Sequence, residues 1–413
     1  MEKHIEIMAP AGNFEALMAA IQGGANSIYF GVENLNMRSH SANNFTMEDL
    51  PEITRICSEH NVKSYLTLNI IMYNEDLEKG KQTLMAAKEA GVSAVIASDI
   101  SVILYARQIG LEVHISTQAN ISNIEAVRFY AQYADVVVLA RELTLEQVKE
   151  IHTQIIEQNI CGPAGRPVEI EMFCHGALCM AVSGKCYLSL HEYNHSANRG
   201  SCFQICRRGY QVTDMETGRQ LEVDNKYIMS PKDLCTIEFM DKMFNAGVKV
   251  FKIEGRARGA EYVKKVASAY RRAADLLEEG TFTPERAGEF KKELEEVFNR
   301  GFWDGYYQGA RLGEWSKVYG SNATRKKTYI GKVTNYFSNI GVAEILVEAA
   351  PISVGQHIMI IGPTSGVVET DLEEIRVELQ TTQTASQGTF CSIPCPQRVR
   401  RADKVYLFEK VKQ

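Results

Sequence analysis

The first 280 residues alternate between short apolar runs and longer segments with helical periodicity. In the first of these units, the run at residues 5–8 leads into a loop, and Asn13 can then cap a helix that ends at Gly23. Strands separated by helices predict parallel βαβ units. Eight such units in this length favour a TIM-like (β/α)8 barrel over a doubly wound open sheet. The eight predicted strands lie at residues 5–8, 27–31, 62–69, 93–98, 111–116, 135–139, 168–174 and 248–254.

At 413 residues the chain is longer than one typical domain. We expect the barrel over residues 1–280, a helical and aromatic linker over 281–328, and a small all-β domain over 329–413. From Tyr329 onward, short strands alternate with turns rich in Gly and Asn, which predicts a closed or partly closed β-barrel. The barrel has a cysteine-rich insertion after its seventh strand, at 176–232, which is too long for an ordinary loop. Residues 210–213 and 227–229 predict a hairpin within it.

Five of the ten cysteines fall within the 36 residues from Glu171 to Cys206. Such clusters form disulfides, bind structural zinc or hold an iron–sulfur cluster. No signal-peptide core and no apolar run of about 20 residues is evident, so we expect a cytoplasmic protein without a membrane span, in which thiols stay reduced. The spacings lack the CxxC pairs typical of structural zinc, which favours an iron–sulfur cluster and leaves zinc as the alternative. The four cysteines with ligand-like spacing are Cys179, Cys186, Cys202 and Cys206.

Polar side chains follow the predicted strands at the end where the active sites of such barrels lie. The cysteine-rich insertion follows the seventh strand, so we expect it on the same face. These strand-end residues include Asn69, Gln118, Arg141, His175, Lys252, Glu254 and Arg256.

A peptidase would need its own set of catalytic residues, and the sequence shows little sign of such a set. No GxSxG motif is present. The letters HExxH occur at His191–His195, but in a segment rich in residues that form helices poorly, which indicates a chance match.

The net charge of −6 argues against nucleic-acid binding through bulk charge, although local basic clusters lie at 325–327 and 398–401. The aromatic loop at 301–307 could stack an unpaired base or form a hydrophobic plug.

The run EMFCHGALCMAVSGKCYLS, the later CFQIC and the KIEGR at Lys252–Arg256 together closely resemble peptidase family U32. The resemblance extends from APAG at Ala9–Gly12 to the C-terminal region. Some members are described as collagenases, and others are similar to iron–sulfur proteins that hydroxylate tRNA or rRNA, with the tRNA members looking most similar. The resemblance implies a 4Fe–4S cluster with prephenate as co-substrate. Its implied ligands are Cys179, Cys186, Cys202 and Cys206, with Cys235 as an alternative fourth.

The expected function is therefore prephenate-dependent 5-hydroxylation of a pyrimidine, with tRNA wobble uridine as the first substrate and rRNA as the alternative. Prephenate is a dicarboxylate, so its pocket needs fixed cations. The alternatives are a U32-type peptidase and a non-catalytic, cluster-bearing RNA-binding factor. We assign binding of this small dicarboxylate to Arg256, Arg141, Lys252, Gln118 and Asn69, and catalysis to His175, Glu254 and Glu171.

Overall fold

The computed structural model describes residues 5–39, 44–210, 213–219, 230–309, 313–316 and 320–411. Most of the hairpin predicted at 210–213 and 227–229 lies outside these ranges. In the part of the chain that is described, no helix is both long enough and apolar enough to cross a membrane.

Eight parallel strands close into a barrel, which confirms the predicted fold. β1 pairs with β2 on one side and with β9 on the other, and β9 pairs in turn with β7. All strands of this part of the chain except β8 belong to the closed barrel. The strands are β1 (Glu6–Ala11), β2 (Ser27–Gly31), β3 (Lys63–Leu68), β4 (Ala94–Ala97), β5 (Glu112–Ile115), β6 (Val136–Val138), β7 (Glu169–Ala177), β8 (Asp233–Cys235) and β9 (Val248–Ile253).

Helices connect the strands and cover the outside of the barrel. Their ends follow the local signals of the sequence: the side chain of Asn13 accepts a hydrogen bond from the Ala16 amide at 2.8 Å, and Gly91 ends the third helix with φ at 83°. Apolar residues of strands and helices pack into one large core between the two layers. The helices are α1 (Phe14–Gln22), α2 (Leu50–Glu59), α3 (Leu77–Ala90), α4 (Ile100–Gln108), α5 (Ile124–Ala131), α6 (Leu145–Glu157), α7 (Leu188–Tyr193), α8 (Met240–Asn245), α9 (Ala260–Glu278) and α10 (Pro284–Leu294).

The pattern of residues 233–246 predicts a single helix, and this prediction is wrong at its beginning. Residues 233–235 instead form β8, which pairs antiparallel with the end of β7, with Ala177 opposite Asp233. Helix α8 begins only at Met240. Backbone pairing with β7 gives these residues a partner that a helix would not provide, and the two strands together close the base of the insertion.

An antiparallel all-β region follows, as expected, and has its own core. Just before this region, the short β10 (Phe302–Trp303) pairs in parallel with β8 in the sheet of the barrel. The strands of the all-β region are β11 (Arg325–Phe337), β12 (Val342–Val347), β13 (Ile352–Ser353), β14 (His357–Gly362), β15 (Gly366–Asp371), β16 (Ile375–Val377), β17 (Gln380–Thr382), β18 (Thr384–Ala385), β19 (Phe390–Pro394) and β20 (Lys404–Lys410). Its main sheet has eight strands in the order β15-β14-β20-β11-β12-β19-β16-β17, and the end strands β15 and β17 are not paired with each other in the described ranges. β11 begins at Arg325, so the basic residues assigned to a linker lie in a strand.

The β region docks on the outside of the barrel through α1 and α9. The Gln22 side chain donates to the Ser365 carbonyl at 2.8 Å and accepts from the Val367 amide at 2.9 Å. Lys264 of α9 lies 3.4 Å from Glu369. These contacts lie on the outer helices α1 and α9 and involve none of the strand-end residues that follow β3, β5 and β6.

Candidate functional site

A cavity of about 200 Å³ lies at the carboxyl ends of the barrel strands, between the barrel and the cysteine-rich insertion. Asn69 follows β3, Gln118 lies in the turn after β5, Arg141 follows β6, and the chain after β9 carries Glu254 and Arg256. The structure thus brings most of the strand-end residues into one site, as expected of a barrel of this class. Its polar lining includes Asn69, Ser116, Thr117, Gln118, Arg141, Lys252, Glu254 and Arg256, together with Cys179, Cys186, Cys202 and Cys206.

Arg256 lies at the floor of the cavity and is 5% exposed. Its Nη1 donates to the Thr67 hydroxyl at 3.0 Å. Burial lowers the pKa of Arg256 to about 10, which leaves it charged at neutral pH. The end of β2 makes room for this side chain, since a Cβ added at Gly31 would overlap the Arg256 guanidinium.

Arg141 approaches the cavity from the end of β6. Its Nη2 donates to the Ser183 hydroxyl at 2.8 Å, and its guanidinium lies 5.3 Å from the centre of the Phe173 ring. Within the described parts of the chain, neither Arg141 nor Arg256 forms an ion pair with a carboxylate. Glu254 acts on both through its charge but is already paired with Arg38, so positive charge exceeds negative charge in the cavity.

Glu254 is the carboxylate of this cavity, and it is already engaged. Its Oε1 accepts from Arg38 at 2.8 Å, and its Oε2 lies 3.4 Å from the Tyr29 hydroxyl. Burial alone would raise the pKa of Glu254, but the charges of Arg38 and Arg256 outweigh it and lower the pKa. Glu254 is therefore ionised at neutral pH and can accept a proton from a bound molecule.

Lys252 and Glu171 form a buried ion pair inside the barrel, with Nζ and Oε1 separated by 2.6 Å. The other oxygen of Glu171 lies 3.7 Å from Nδ1 of His114, whose Nε2 lies 3.4 Å from Glu112. Burial lowers the pKa of His114, but the nearby carboxylates of Glu112 and Glu171 outweigh it and raise the pKa to about 9. Lys252 lines the cavity, whereas Glu171 lies beneath it as the counter-ion of Lys252 and His114.

The four cysteines with ligand-like spacing all line the cavity. Burial raises the pKa of Cys206; Arg207 opposes this rise, and the other three thiols add to it. The thiols are thus close enough to influence one another's ionisation. Yet in the ranges that the structure describes, no three His, Cys, Asp or Glu side chains are placed to hold a single metal ion.

Cys235, the alternative fourth ligand, lies elsewhere. It is in β8, 6% exposed, and does not line the cavity. Burial raises its pKa to about 12, which is the behaviour of an inert structural thiol. Cys206 therefore has the better position to be a ligand.

His175 is also separated from the cavity. It is 1% exposed and packs against the rings of Tyr262, Tyr270 and Phe302, at 6.0, 5.6 and 5.4 Å between ring centres. Burial, followed by the charge of Arg258, lowers the pKa of His175 to about 3. The imidazole is neutral at physiological pH and has no route to a molecule in the cavity.

The aromatic loop at 301–307 is mostly interior. Trp303 is 6% exposed and donates to the Lys232 carbonyl at 3.0 Å, and Tyr307 is 1% exposed and donates to the Phe173 carbonyl at 2.9 Å. This part of the chain packs as a plug beside β7 and does not present faces for base stacking.

The HExxH letters do not form a zinc site. His191 lies in the single turn and a half of α7, which ends at Asn194 in a left-handed conformation with φ at 54°. His195 lies beyond that end, so the two histidines cannot share one helical face as the motif requires. No histidine lines the described cavity.

Three residues that line the cavity were not predicted from the sequence as site residues: Arg38, Tyr29 and Thr67. Arg38 comes from the long connection between β2 and α2. A connection much longer than the usual βα loop often carries function, and that length was the available signal. Tyr29 and Thr67 lie within strands β2 and β3. Whether a strand residue points into the barrel depends on how neighbouring strands pair, which the sequence does not give.

The family of the chain is shown by comparison with known proteins. Residues 12–317 match the model of peptidase family U32. A protein named collagenase from Porphyromonas gingivalis is 58% identical over 405 residues, covering 98% of each chain. The tRNA hydroxylation protein P1 of Bacillus subtilis is 35% identical over 81% of this chain and 78% of its own, and a 23S rRNA 5-hydroxycytidine synthase of Escherichia coli is 33% identical over 75% of this chain and 46% of its own.

The chain therefore belongs to peptidase family U32, as the sequence motifs indicated. Members of this family are named both as hydroxylases and as peptidases. Among these relatives, identity is higher to the protein named collagenase than to the protein named for tRNA hydroxylation, which is the reverse of what we expected.

Proposed function

We propose that this chain is an RNA hydroxylase that replaces the C5–H of a pyrimidine with C5–OH, with tRNA wobble uridine as substrate, prephenate as co-substrate and a 4Fe–4S cluster as cofactor. One observation carries the proposal: two arginines that form no ion pair in the described chain share one cavity with four cysteine thiols. The relatives named for tRNA and rRNA hydroxylation support the class of substrate.

The arginines suit a small dicarboxylate. A guanidinium binds a carboxylate through two parallel hydrogen bonds, and the pair is strongest where water is excluded. Thr117 adds a polar group, since its hydroxyl lines the cavity, is buried and has no hydrogen-bond partner in the described chain. Lys252 is less available because Glu171 already neutralises it. Arg141 and Arg256 are therefore the proposed anchors of the co-substrate.

The thiols suit a multi-iron cluster better than zinc. A structural zinc ion needs four ligands about 2.3 Å from one point, whereas a 4Fe–4S cluster spreads its thiolates over several irons. The four thiols share one cavity, and their spacings lack the CxxC pairs typical of structural zinc, which favours the second case. Cys179, Cys186, Cys202 and Cys206 would hold the cluster, which supplies electron transfer or a cross-link between the turns that carry them.

Glu254 is the proposed proton acceptor. Replacing C5–H by C5–OH is a two-electron oxidation. It needs a donor of the hydroxyl oxygen, for which prephenate is proposed, and an external two-electron acceptor, and the C5 proton must leave the ring. An ionised carboxylate within the cavity can accept that proton, and the Arg38 contact orients it. Neither His175 nor Glu171 lines the cavity, so neither is assigned this role.

The central test is to delete the gene and measure modified nucleosides in RNA by mass spectrometry. Loss of hydroxyuridine from tRNA supports the proposal, and loss of hydroxycytidine from rRNA would keep the chemistry and change the substrate. If no hydroxylated nucleoside disappears, the chain is not a hydroxylase. Complementation with Arg256→Lys should fail, because an ammonium cannot replace the two-pronged contact.

The cluster is tested by anaerobic reconstitution, which should give about four irons and four sulfides per chain. Cys206→Ser should lower the iron content, whereas Cys235→Ser, the matched control from β8, should retain it. Stoichiometric zinc without sulfide would contradict the cluster.

A peptidase is the second candidate, favoured by the 58% identical relative named collagenase. The geometry does not supply a base-activated nucleophile, since no histidine lines the described cavity. Purified protein should therefore leave collagen and gelatin intact. Cleavage that persists through repurification and disappears in Glu192→Ala would establish the peptidase instead.

A further inference from the structure

An exposed cluster of aromatic and basic side chains is built on the same segment that lines the cavity. Tyr193 and Phe203 are each 42% exposed, and their ring centres are 5.5 Å apart. Arg208 donates to the Tyr193 hydroxyl at 2.7 Å, and His195 lies 5.6 Å from Phe203. We call these four residues the aromatic ridge.

The ridge is fixed to the wall of the cavity. Phe203 directly follows Cys202, and Arg208 lies two residues after Cys206. The Phe203 amide donates to the hydroxyl of Ser189, which lines the cavity. A molecule on the ridge would therefore lie next to whatever the cavity binds.

The charge around the ridge is the opposite of that of the whole chain. Residues 178–210 contain four basic side chains and one acidic one, on a chain whose net charge is −6. Within this segment, the Arg199 guanidinium pairs with Asp76 at 2.6 Å and stacks 3.8 Å from the centre of the Tyr73 ring, which is 52% exposed. Exposed aromatic faces interleaved with cations suit a polyanion that has flat rings, whereas a collagen-like peptide has neither phosphates nor a high density of aromatic rings.

We propose that the aromatic ridge binds unpaired nucleotides of RNA next to the target base. Tyr193 and Phe203 stack on bases, and Arg208 contacts phosphate or stacks beside them. The inference rests on the proposed function and deepens it, because it names the surface that holds the substrate. It also moves the stacking role from the buried loop at 301–307 to the insertion.

The test measures binding without turnover. Reconstituted protein is titrated into a fluorescent oligouridylate of about ten nucleotides, and affinity is followed by anisotropy. Phe203→Ala and Tyr193→Ala should each weaken binding by about 5- to 100-fold. Phe337→Ala, which removes a ring of similar exposure (41%) from the all-β region, should leave it unchanged. Arg208→Gln should reduce the slope of log affinity against log salt by about 1.

Several outcomes would overturn the proposal: no binding of oligouridylate by the wild type, equal affinity in the Tyr193→Ala/Phe203→Ala double variant, or an equal loss of binding to fully paired RNA. Binding of gelatin fragments that depends on Phe203 would assign the ridge to a polypeptide instead. Iron content and circular dichroism of each variant show that the insertion is still folded. Because no chemistry is measured, the hydroxylase proposal can fail while ridge-dependent RNA binding survives, and the reverse also holds.

Discussion

Two groups of charged residues in the barrel are neutralised in different ways. The compensated group consists of Glu171, Lys252 and His114, in which the carboxylate neutralises the nearby cations inside the barrel. The uncompensated pair consists of Arg141 and Arg256, which donate to hydroxyls and have no carboxylate within ion-pair distance in the described structure. A buried charge is tolerated when it is paired, so the first group serves the fold. The second pair keeps a cost that an anionic ligand can remove, and this is the behaviour expected of a binding site.

The largest expected effect tests the compensated group. Glu171→Ala leaves Lys252 as a buried cation without its counter-ion and leaves His114 with Glu112 alone, so the free energy of unfolding should fall by about 3–5 kcal/mol. Chemical denaturation measures the change. The control is Glu374→Ala, which removes an exposed partner of Arg376 and should have no measurable effect. Equal denaturation midpoints for Glu171→Ala and wild type would show that this group does not hold the fold.

The next effect is a pH dependence of stability set by His114. Its folded pKa of about 9 exceeds the value of about 6.5 expected when unfolded, so the folded state binds the proton more tightly. The resulting stabilisation, about 3 kcal/mol, is complete below pH 6.5 and is lost as pH rises to 9. Denaturation across this range measures it.

His114→Gln should remove this part of the pH dependence. The same decline in the variant would assign the effect to other groups. Glu112, Glu171 and Tyr65 are the titratable side chains that face His114.

Removing a charge of the uncompensated pair should affect ligand binding more than the stability of the fold. Arg256→Met removes a buried charge that has no ion-pair partner, so stability should stay the same or rise. Prephenate binding, measured by calorimetry, should weaken by about 10- to 150-fold, since a charged hydrogen bond contributes roughly 1.5–3 kcal/mol. Marked destabilisation by Arg256→Met would place Arg256 with the compensated group and break the comparison.

The smallest effect is expected at the other end of the barrel. Lys63 pairs with Glu6 at 2.9 Å, but its side chain is 61% exposed. Lys63→Ala should change the free energy of unfolding by no more than about 0.5–1 kcal/mol, and high salt should reduce even that difference. A larger loss would mean that charge pairs at the barrel surface matter as much as the buried group.

The barrel could be predicted from the sequence because its signals are local. Apolar periodicity marks strands and helices, and capping by Asn13 or a stop at Gly91 depends on residues within one turn. The gathering of Asn69, Gln118 and Arg141 follows from the barrel itself, since strand ends meet at one rim.

Long-range partners explain what could not be predicted. In the sequence, Glu171 has the features of a catalytic residue. In the structure it is neutralised by Lys252, which lies 81 residues away along the chain. His175 likewise reads as a strand-end base, and it is buried by Tyr262 and Tyr270 from a later helix. The start of β8 was missed because its three residues precede a helical pattern and gain their structure from pairing with β7.

That pairing also has an evolutionary consequence. Because Ala177 and Asp233 lie opposite each other in the ladder, residues 178–232 leave the barrel and return to it at neighbouring positions. Doubling the length of such a loop costs only about 0.6 kcal/mol in closure entropy. The insertion can thus be exchanged without displacing the strands of the barrel. Grafting it between family members at these two residues should transfer substrate choice while leaving the barrel intact.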